Sequence, residues 1–322
     1  MQIIFDALIL AVGFVLLVQS AKFFVDSSVE IAKTLKIPTV IVGLTIVAMG
    51  TSAPEAAISV SAALRGQSDL AIANSVGSNL FNQLFIVGLS AMLFPITVKL
   101  SKLKRDYIMC VVGTLLILLF VIIWPGSIPR LGGIILLTVF TAYMIVLVKK
   151  TMADKSKEEI SSPEQPEQTE ASPPKPLWRS LLICLVCIIV IILAGQLTVS
   201  SAGSLAAAFG VSERVIGLTI VSIGTSLPEL VTTIIACKKK EGEFALGFII
   251  GSSTFNLLFV LGLAGTITPL TVAYGVLFDI IVLAMGTFVF LSFARTSKKI
   301  KRVEGIILFV MYLVYITWVL FN

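Results

Sequence analysis

Two stretches of this chain are copies of each other. Adding 174 to each residue number lays Gly43–Val60 (GLTIVAMGTSAPEAAISV) on Gly217–Ile234 (GLTIVSIGTSLPELVTTI) without a gap, and ten of the eighteen residues are identical. The same shift lays Ala71–Ser90 on Ala245–Ala264 with nine of twenty identical, while the loops between, GQSD and KEGE, share no residue. Such a duplication constrains the fold strongly, because both copies must reach the same local structure.

The medium in which they do so follows from composition. The chain is 57% hydrophobic and only 13% charged, with a mean hydropathy of +1.05, against about 25% charged residues in a soluble domain. Runs of about 20 apolar residues, the length that crosses a bilayer, occur ten times. They are Ile3–Ala32, Pro38–Leu64, Leu70–Leu93, Asp106–Trp124, Leu131–Val148, Leu177–Phe209, Ser212–Cys237, Phe244–Gly265, Tyr274–Phe293 and Val303–Phe321. The duplicated segments are the second and third runs and the seventh and eighth, five spans apart. An odd separation reverses direction across the membrane. The expected fold is therefore an all-α membrane protein of ten transmembrane helices in two inverted-topology repeats of five, residues 1–148 and 177–322. This is the plan of many secondary transporters, with substrate held near the midplane. Residues 149–176 between the repeats are polar and rich in Pro and Ser, as a flexible linker would be.

Basic residues provide an independent check on the span count, because Lys and Arg concentrate in cytoplasmic loops. With both termini outside, alternate loops collect 20 of the 24 Lys and Arg residues. The net charge of +6 then reflects topology and anionic lipid headgroups, and nucleic acid is not an expected partner. The start of the chain lacks a basic n-region and its apolar run is too long for a cleavable signal. Cys110, Cys184, Cys187 and Cys237 all fall in apolar runs, and with no His in the chain the Cys184/Cys187 pair reads as small packing residues. Asp106 and Asp279, near the starts of their runs, read as N-caps. Lys22 and Asp26, four apart, read as a helical pair.

The chemistry is concentrated in the copied motifs GTSAPE (Gly50–Glu55) and GTSLPE (Gly224–Glu229). A proline inside a helix removes one hydrogen bond to the carbonyl four residues back, so Pro54 and Pro228 should free the carbonyls of Gly50 and Gly224. Unpaired backbone is tolerated inside a membrane only where it lines a cavity or meets a ligand. Beside it lie the hydroxyls of Thr51, Ser52, Thr225 and Ser226 and the carboxylates of Glu55 and Glu229, and intramembrane acids are usually functional. All these donors are oxygen, which suits hard cations such as Ca2+ or Na+ and not zinc or copper. Two glutamates brought face to face can be neutralised by one divalent cation, by two Na+ or by two protons. Mutual exclusion of those loads makes an exchanger. The third and eighth runs add Asn79 and Ser253, at one repeat position, as further candidate ion ligands, and Gly77, Gly251, Asn82 and Asn256 as packing groups.

The paired GTSxPE motifs, each followed by GSN or GSS, resemble the two repeats of the calcium/cation antiporter superfamily, most closely its prokaryotic sodium/calcium exchanger branch. The resemblance implies a cell-membrane antiporter, a monomer with no cofactor, in which the first and sixth helices slide across an ion-binding core. It implies Ca2+ held by Glu55, Glu229, Thr51 and Thr225. It further implies Na+ sites from Ser52, Ser226, the carbonyls of Ala48 and Ser222, and Ser75 and Asn79. The second half departs from the family pattern, with Ser253 where Asp or Asn is common and Ile249 opposite Ser75. That departure points to reduced coupling, such as an electroneutral two-for-one exchange, or to protons or another cation as substitutes. Exchange of Ca2+ for protons is the nearest rival, but its relatives usually carry Asn where this chain has Thr51 and Thr225, and Mg2+ or Mn2+ remain alternative substrates for oxygen donors. An inverted pair is poor evidence for a channel, and no Ser/His pair, paired aspartates or ligand His supports an enzyme.

Overall fold

The computed structural model describes residues 2–97, 100–161, 176–208, 222–272, 274–296 and 299–321. Within them the chain is helical almost throughout. The helices are α1 (Gln2–Leu35), α2 (Thr39–Thr51), α3 (Ala53–Leu64), α4 (Ser68–Leu93), α5 (Leu100–Ile123), α6 (Arg130–Ser161), α7 (Leu177–Ala208), α8 (Ser222–Thr225), α9 (Leu227–Lys238), α10 (Gly242–Ile267), α11 (Tyr274–Thr296) and α12 (Arg302–Phe321). Among the described residues eight helices are long and apolar enough to cross a membrane, and the α2–α3 pair, bent by 49°, makes a ninth candidate span. The expected run Ser212–Cys237 is described only from Ser222 onward, so the first part of its span lies outside the described residues, as do residues 162–175 of the linker.

Burial sorts these helices into a centre and a rim. The apolar window of α10 is 94% buried and that of α4 is 72%, against 11% for α1 and 17% for α12. Small residues explain how the central helices are enclosed, since a missing side chain lets two backbones approach. A Cβ on Gly251 would stand 2.5 Å from the carbonyl oxygen of Leu44, and one on Gly247 2.6 Å from that of Val40, so α2 lies directly on α10. At the far end of α10 a Cβ on Gly133 of α6 would stand 2.4 Å from the amide of Thr266. The matching contact at the end of α4 puts a Cβ on Gly305 of α12 2.7 Å from the carbonyl oxygen of Gly88 and 2.9 Å from the amide of Met92.

The offset seen in the sequence recurs in the elements. Ala53–Leu64 maps onto Leu227–Lys238, and widened π-helical turns occupy both Phe81–Ile86 and Phe255–Val260. Two short antiparallel ladders cross between the halves: β1 (Ile96–Thr97) pairs with β4 (Lys299–Ile300), and β2 (Ser127–Ile128) pairs with β3 (Leu270–Thr271). Helices α1 and α7 pack antiparallel, with Gly13 against Ala194 and Thr198 and, further along α1, Ser28 Oγ 3.5 Å from Cys184 Sγ.

Three local expectations are corrected. Asp106 and Asp279 lie inside α5 and α11 and cap nothing; each accepts a tyrosine hydroxyl from the following helix, Tyr143 at 2.8 Å and Tyr315 at 2.9 Å. A carboxylate in an apolar helix needs a donor, and a packed neighbour supplies it where the helix start is a full turn away. Asp26 meets Lys239 of the other half instead of Lys22. The carbonyl of Gly50 is also engaged, accepting a backbone N–H at the end of α2.

Candidate cation site

The breaks at the two motifs have one geometry. Ser52 (φ −84°, ψ 7°) interrupts α2 and α3, and Ser226 (φ −94°, ψ 8°) interrupts α8 and α9. Pro54 and Pro228 then sit in the first turn of the following half-helix, where a missing N–H costs nothing. Glu55 and Glu229 occupy the same first turn. The free N–H groups and the dipole of each half-helix favour negative charge there.

Ser-x-x-Glu at a helix start ordinarily closes a capping box within its own turn. Neither motif does so: Ser52 and Ser226 make no side-chain capping bond. The hydroxyls cross to the other half. Ser52 Oγ donates to Glu229 Oε1 at 3.4 Å, and Ser226 Oγ donates to Glu55 Oε1 at 3.3 Å. The Thr51 hydroxyl donates to the carbonyls of Val47 at 3.2 Å and Ala48 at 3.4 Å beside the Glu229 carboxyl, and Thr225 stands beside that of Glu55. Both glutamates are 1% exposed, and each keeps its second oxygen, Oε2, without a hydrogen-bond partner. Six predicted residues thus form one cluster of oxygen atoms, five of them buried and Thr225 half-buried, with the serines and glutamates joined reciprocally between the halves.

The remaining predicted residues divide. Ala48 contributes its carbonyl, which accepts the N–H of Ser52 at 3.1 Å and the hydroxyl of Thr51 at 3.4 Å. Asn79 on α4 and Ser253 on α10 are fully buried, and both amide atoms of Asn79 and the Ser253 hydroxyl are unpartnered. Ser75 is fully buried but engaged elsewhere, 3.3 Å from the hydroxyl of Ser59. Ser222 opens α8, and its side chain lies outside the described residues.

Asn82 makes the interhelical amide bond expected of it, and sequence reasoning missed where that bond leads and what backs Glu55. Asn82 Nδ2 donates to Ser252 Oγ at 3.1 Å, and Ser252 Oγ lies 2.8 Å from Ser52 Oγ. With the Asn82 N–H and the Ser52 O–H committed, the Ser252 proton points at Ser52, giving a one-way relay from Asn82 to Glu229. Behind Glu55, Asn74 Nδ2 donates to the Glu55 carbonyl at 3.1 Å and to Ser59 Oγ at 2.9 Å. The signal for both was on the page as polar residues in the copied third and eighth runs, but spacing does not say which neighbour a hydroxyl chooses.

On one side the cluster adjoins a cavity of about 500 Å³ lined by Pro54, Ala57, Ile58, Ile192, Gln196, Ser200, Gly224, Thr225 and Pro228. Buried carboxylates and hydroxyls at half-helix ends, inside an apolar bundle and next to a cavity, define a polytopic membrane protein that handles hard cations. The chain belongs to the sodium/calcium exchanger family, whose model matches residues 5–149 and 179–321, and so to the calcium/cation antiporter superfamily. CaxA of Alkalimonas amylolytica is 38% identical over 312 residues, covering 94% of this chain and 95% of its own. The sodium/calcium exchanger MaX1 of Methanosarcina acetivorans is 32% identical, with 96% and 97% covered. Among solved structures, the sodium-calcium exchanger NCX_Mj soaked without Na+ and Ca2+ matches with a TM-score of 0.81 at 27% identity, over 98% of this chain and 99% of that one.

Proposed function

We propose that the chain is a secondary active antiporter exchanging Ca2+ for Na+ across a prokaryotic cell membrane. It works by alternating access between two inverted five-helix repeats, as a monomer with both termini outside. The observation that carries this reading is the reciprocal exchange of Ser52 onto Glu229 and Ser226 onto Glu55. Ca2+ is held between Glu55 and Glu229 with Thr51 and Thr225. Na+ takes the flanking oxygens of Ser52, Ser226, Ala48, Ser222, Ser75, Asn79 and Ser253. Two buried carboxylates repel unless a cation neutralises them. One Ca2+ or two Na+ satisfy the same charge, so one load displaces the other. The antiparallel packing of α1 on α7 and the reciprocal ladders support the inverted arrangement.

The coupling count is the point where the halves differ. Asn74 and Ser75, which back Glu55, correspond to Phe248 and Ile249, both fully buried, and the hydroxyl of Thr233, the counterpart of Ser59, has no hydrogen-bond partner among the described residues. A flanking site on that side lacks oxygens, which favours fewer coupling ions per Ca2+.

Radioactive Ca2+ uptake into proteoliposomes loaded with Na+, with K+ or with a pH gradient alone tests the reading. Uptake should require internal Na+, and Glu55→Gln and Glu229→Gln should each lower it by roughly a hundredfold or more. Equal uptake by the variants refutes the site. A steep membrane-potential dependence of uptake refutes the electroneutral coupling.

A further inference from the structure

The two faces of the site are closed differently. Helices α1 and α7 run antiparallel, with Ser28 and Phe24 of α1 against Cys184 of α7 and Gly13 against Thr198. The segment of α1 around Asp26 and the segment of α7 around Ser200 therefore lie toward opposite faces. Sixteen residues of α7 between Cys184 and Ser200 at about 1.5 Å each separate them by roughly 24 Å.

On the α1 face the half-helix that carries Glu229 is tied down. Its C-cap residue, Lys239, donates Nζ to the carbonyl of Lys22 at 3.1 Å and forms an ion pair with Asp26. On the opposite face the half-helix that carries Glu55 stands away from α7. The 500 Å³ cavity fills the space between them, with Pro54 and Ala57 on one wall and Gln196 and Ser200 on the other. The offset of 174 makes the difference chemical. It converts Lys239 into Arg65, the C-cap of α3, so the cation is kept. It converts Lys22 and Asp26 into Gln196 and Ser200, so the carboxylate is lost. A closed α7 face would offer Arg65 a hydroxyl where the closed α1 face offers Lys239 a charge.

We propose that Asp26 and Lys239 form an ionic latch that holds the cation site shut on the α1 face, and that the serine at position 200 leaves the α7 face without a matching latch. The resting protein is then biased toward the state open at the cavity. This rests on the alternating-access reading given above. By the distribution of basic residues the α1 face is cytoplasmic, so the bias is toward the outside. The Asp26 side chain is 62% exposed, so solvent weakens the pair, and its loss should change the ratio of the two states by only about fivefold. That is enough to matter between states of similar energy.

The test uses the full-length protein in proteoliposomes carrying Ala57→Cys, a cavity position, and follows the rate of its reaction with a membrane-impermeant maleimide. The four native cysteines are buried. Asp26→Asn should slow labelling about twofold, and Asp26→Asn combined with Ser200→Asp, which moves the carboxylate to the other face, about fivefold. The charge swap Asp26→Lys with Lys239→Asp should restore the starting rate, and Lys22→Gln should leave it unchanged because only the backbone of Lys22 takes part. Unchanged labelling in Asp26→Asn, or no recovery in the charge swap, overturns the latch. Labelling does not depend on which ion is carried, so a protein that fails to take up Ca2+ yet shows these shifts loses the proposed substrate and keeps the latch.

Discussion

The first half of the molecule backs its glutamate with a polar network, and the second half puts two hydrocarbon side chains at the equivalent backing positions. Behind Glu55, the side chains of Asn74, Ser59 and Ser75 form a connected hydrogen-bond network. The positions behind Glu229 hold Thr233, Phe248 and Ile249, the last two fully buried. The relay that ends on a glutamate is also one-sided: Asn82 and Ser252 lead to Ser52, whereas among the described residues neither amide atom of Asn256, the counterpart of Asn82, is bonded. The motifs themselves are equal, down to the φ and ψ of Ser52 and Ser226. On the proposed function, symmetry is kept where both halves would grip one ion, and is released where each half sets the surroundings of its own side.

The largest expected effect tests the part of the comparison in which the halves are equal. Gly133→Val in the first half and Gly305→Val in the second each force a side chain against the backbone of the facing central helix, with the first added carbon 2.4 Å from the amide of Thr266 and 2.7 Å from the carbonyl oxygen of Gly88. Backbone cannot step aside as a flexible side chain can, so each should cost about 3 kcal/mol or more. Thermal unfolding in detergent, followed as loss of monodisperse protein, should show both variants severely destabilised. If one half tolerates its valine, the two contacts are not equivalent.

A smaller effect should separate the halves. Ser252→Ala removes the group that orients the Ser52 hydroxyl toward Glu229 and should raise the apparent KM for Ca2+ about fivefold, the equivalent of about 1 kcal/mol. Ser78→Ala, at the equivalent position, should change it by less than about twofold, since among the described residues no relay reaches Ser226 from that side. Equal shifts in the two variants would remove the relay from the comparison. Ile249→Ser sharpens the same point from the other direction. Restoring a hydroxyl opposite Ser75 should make the Na+ dependence of Ca2+ uptake steeper, and an unchanged slope would show that this wall does not contact the coupling ion.

Much of this was legible in the sequence because it depends on period and identity. Apolar runs located the eight long helices and the bent pair among the described residues, the 174-residue offset predicted which elements would match, and two prolines beside two glutamates marked the breaks. What stayed hidden were choices between a local and a distant partner. Ser52 and Glu55 carry the spacing of a capping box, yet the serine bonds Glu229, 177 residues away. Lys22 and Asp26 have the spacing of a helical pair, yet Asp26 takes a lysine 213 residues away. In each case the local rule offers a nearby partner and the side chain takes a packed neighbour instead, a choice that only the fold decides. The carbonyl ligand at Ser222 was implied by the family resemblance alone, and its side chain lies outside the described residues.

The smallest prediction concerns the two aspartates read first as helix caps. Asp106 is fully buried and shares its Oδ1 between the Tyr143 hydroxyl and Arg105, while its Oδ2 has no partner. Asp279 is only half-buried where it accepts Tyr315. Tyr143→Phe withdraws the shorter and better of the two bonds from a carboxylate that water cannot reach, so the loss includes the cost of leaving a buried acceptor poorly satisfied, about 1–2 kcal/mol. Tyr315→Phe withdraws a similar bond where water can replace the hydroxyl, and the cost should stay below about 1 kcal/mol. Thermal unfolding of the two variants side by side gives the ordering. A larger loss for Tyr315→Phe would mean that the second half, so apolar behind Glu229, depends on its remaining polar contacts more heavily than their exposure suggests.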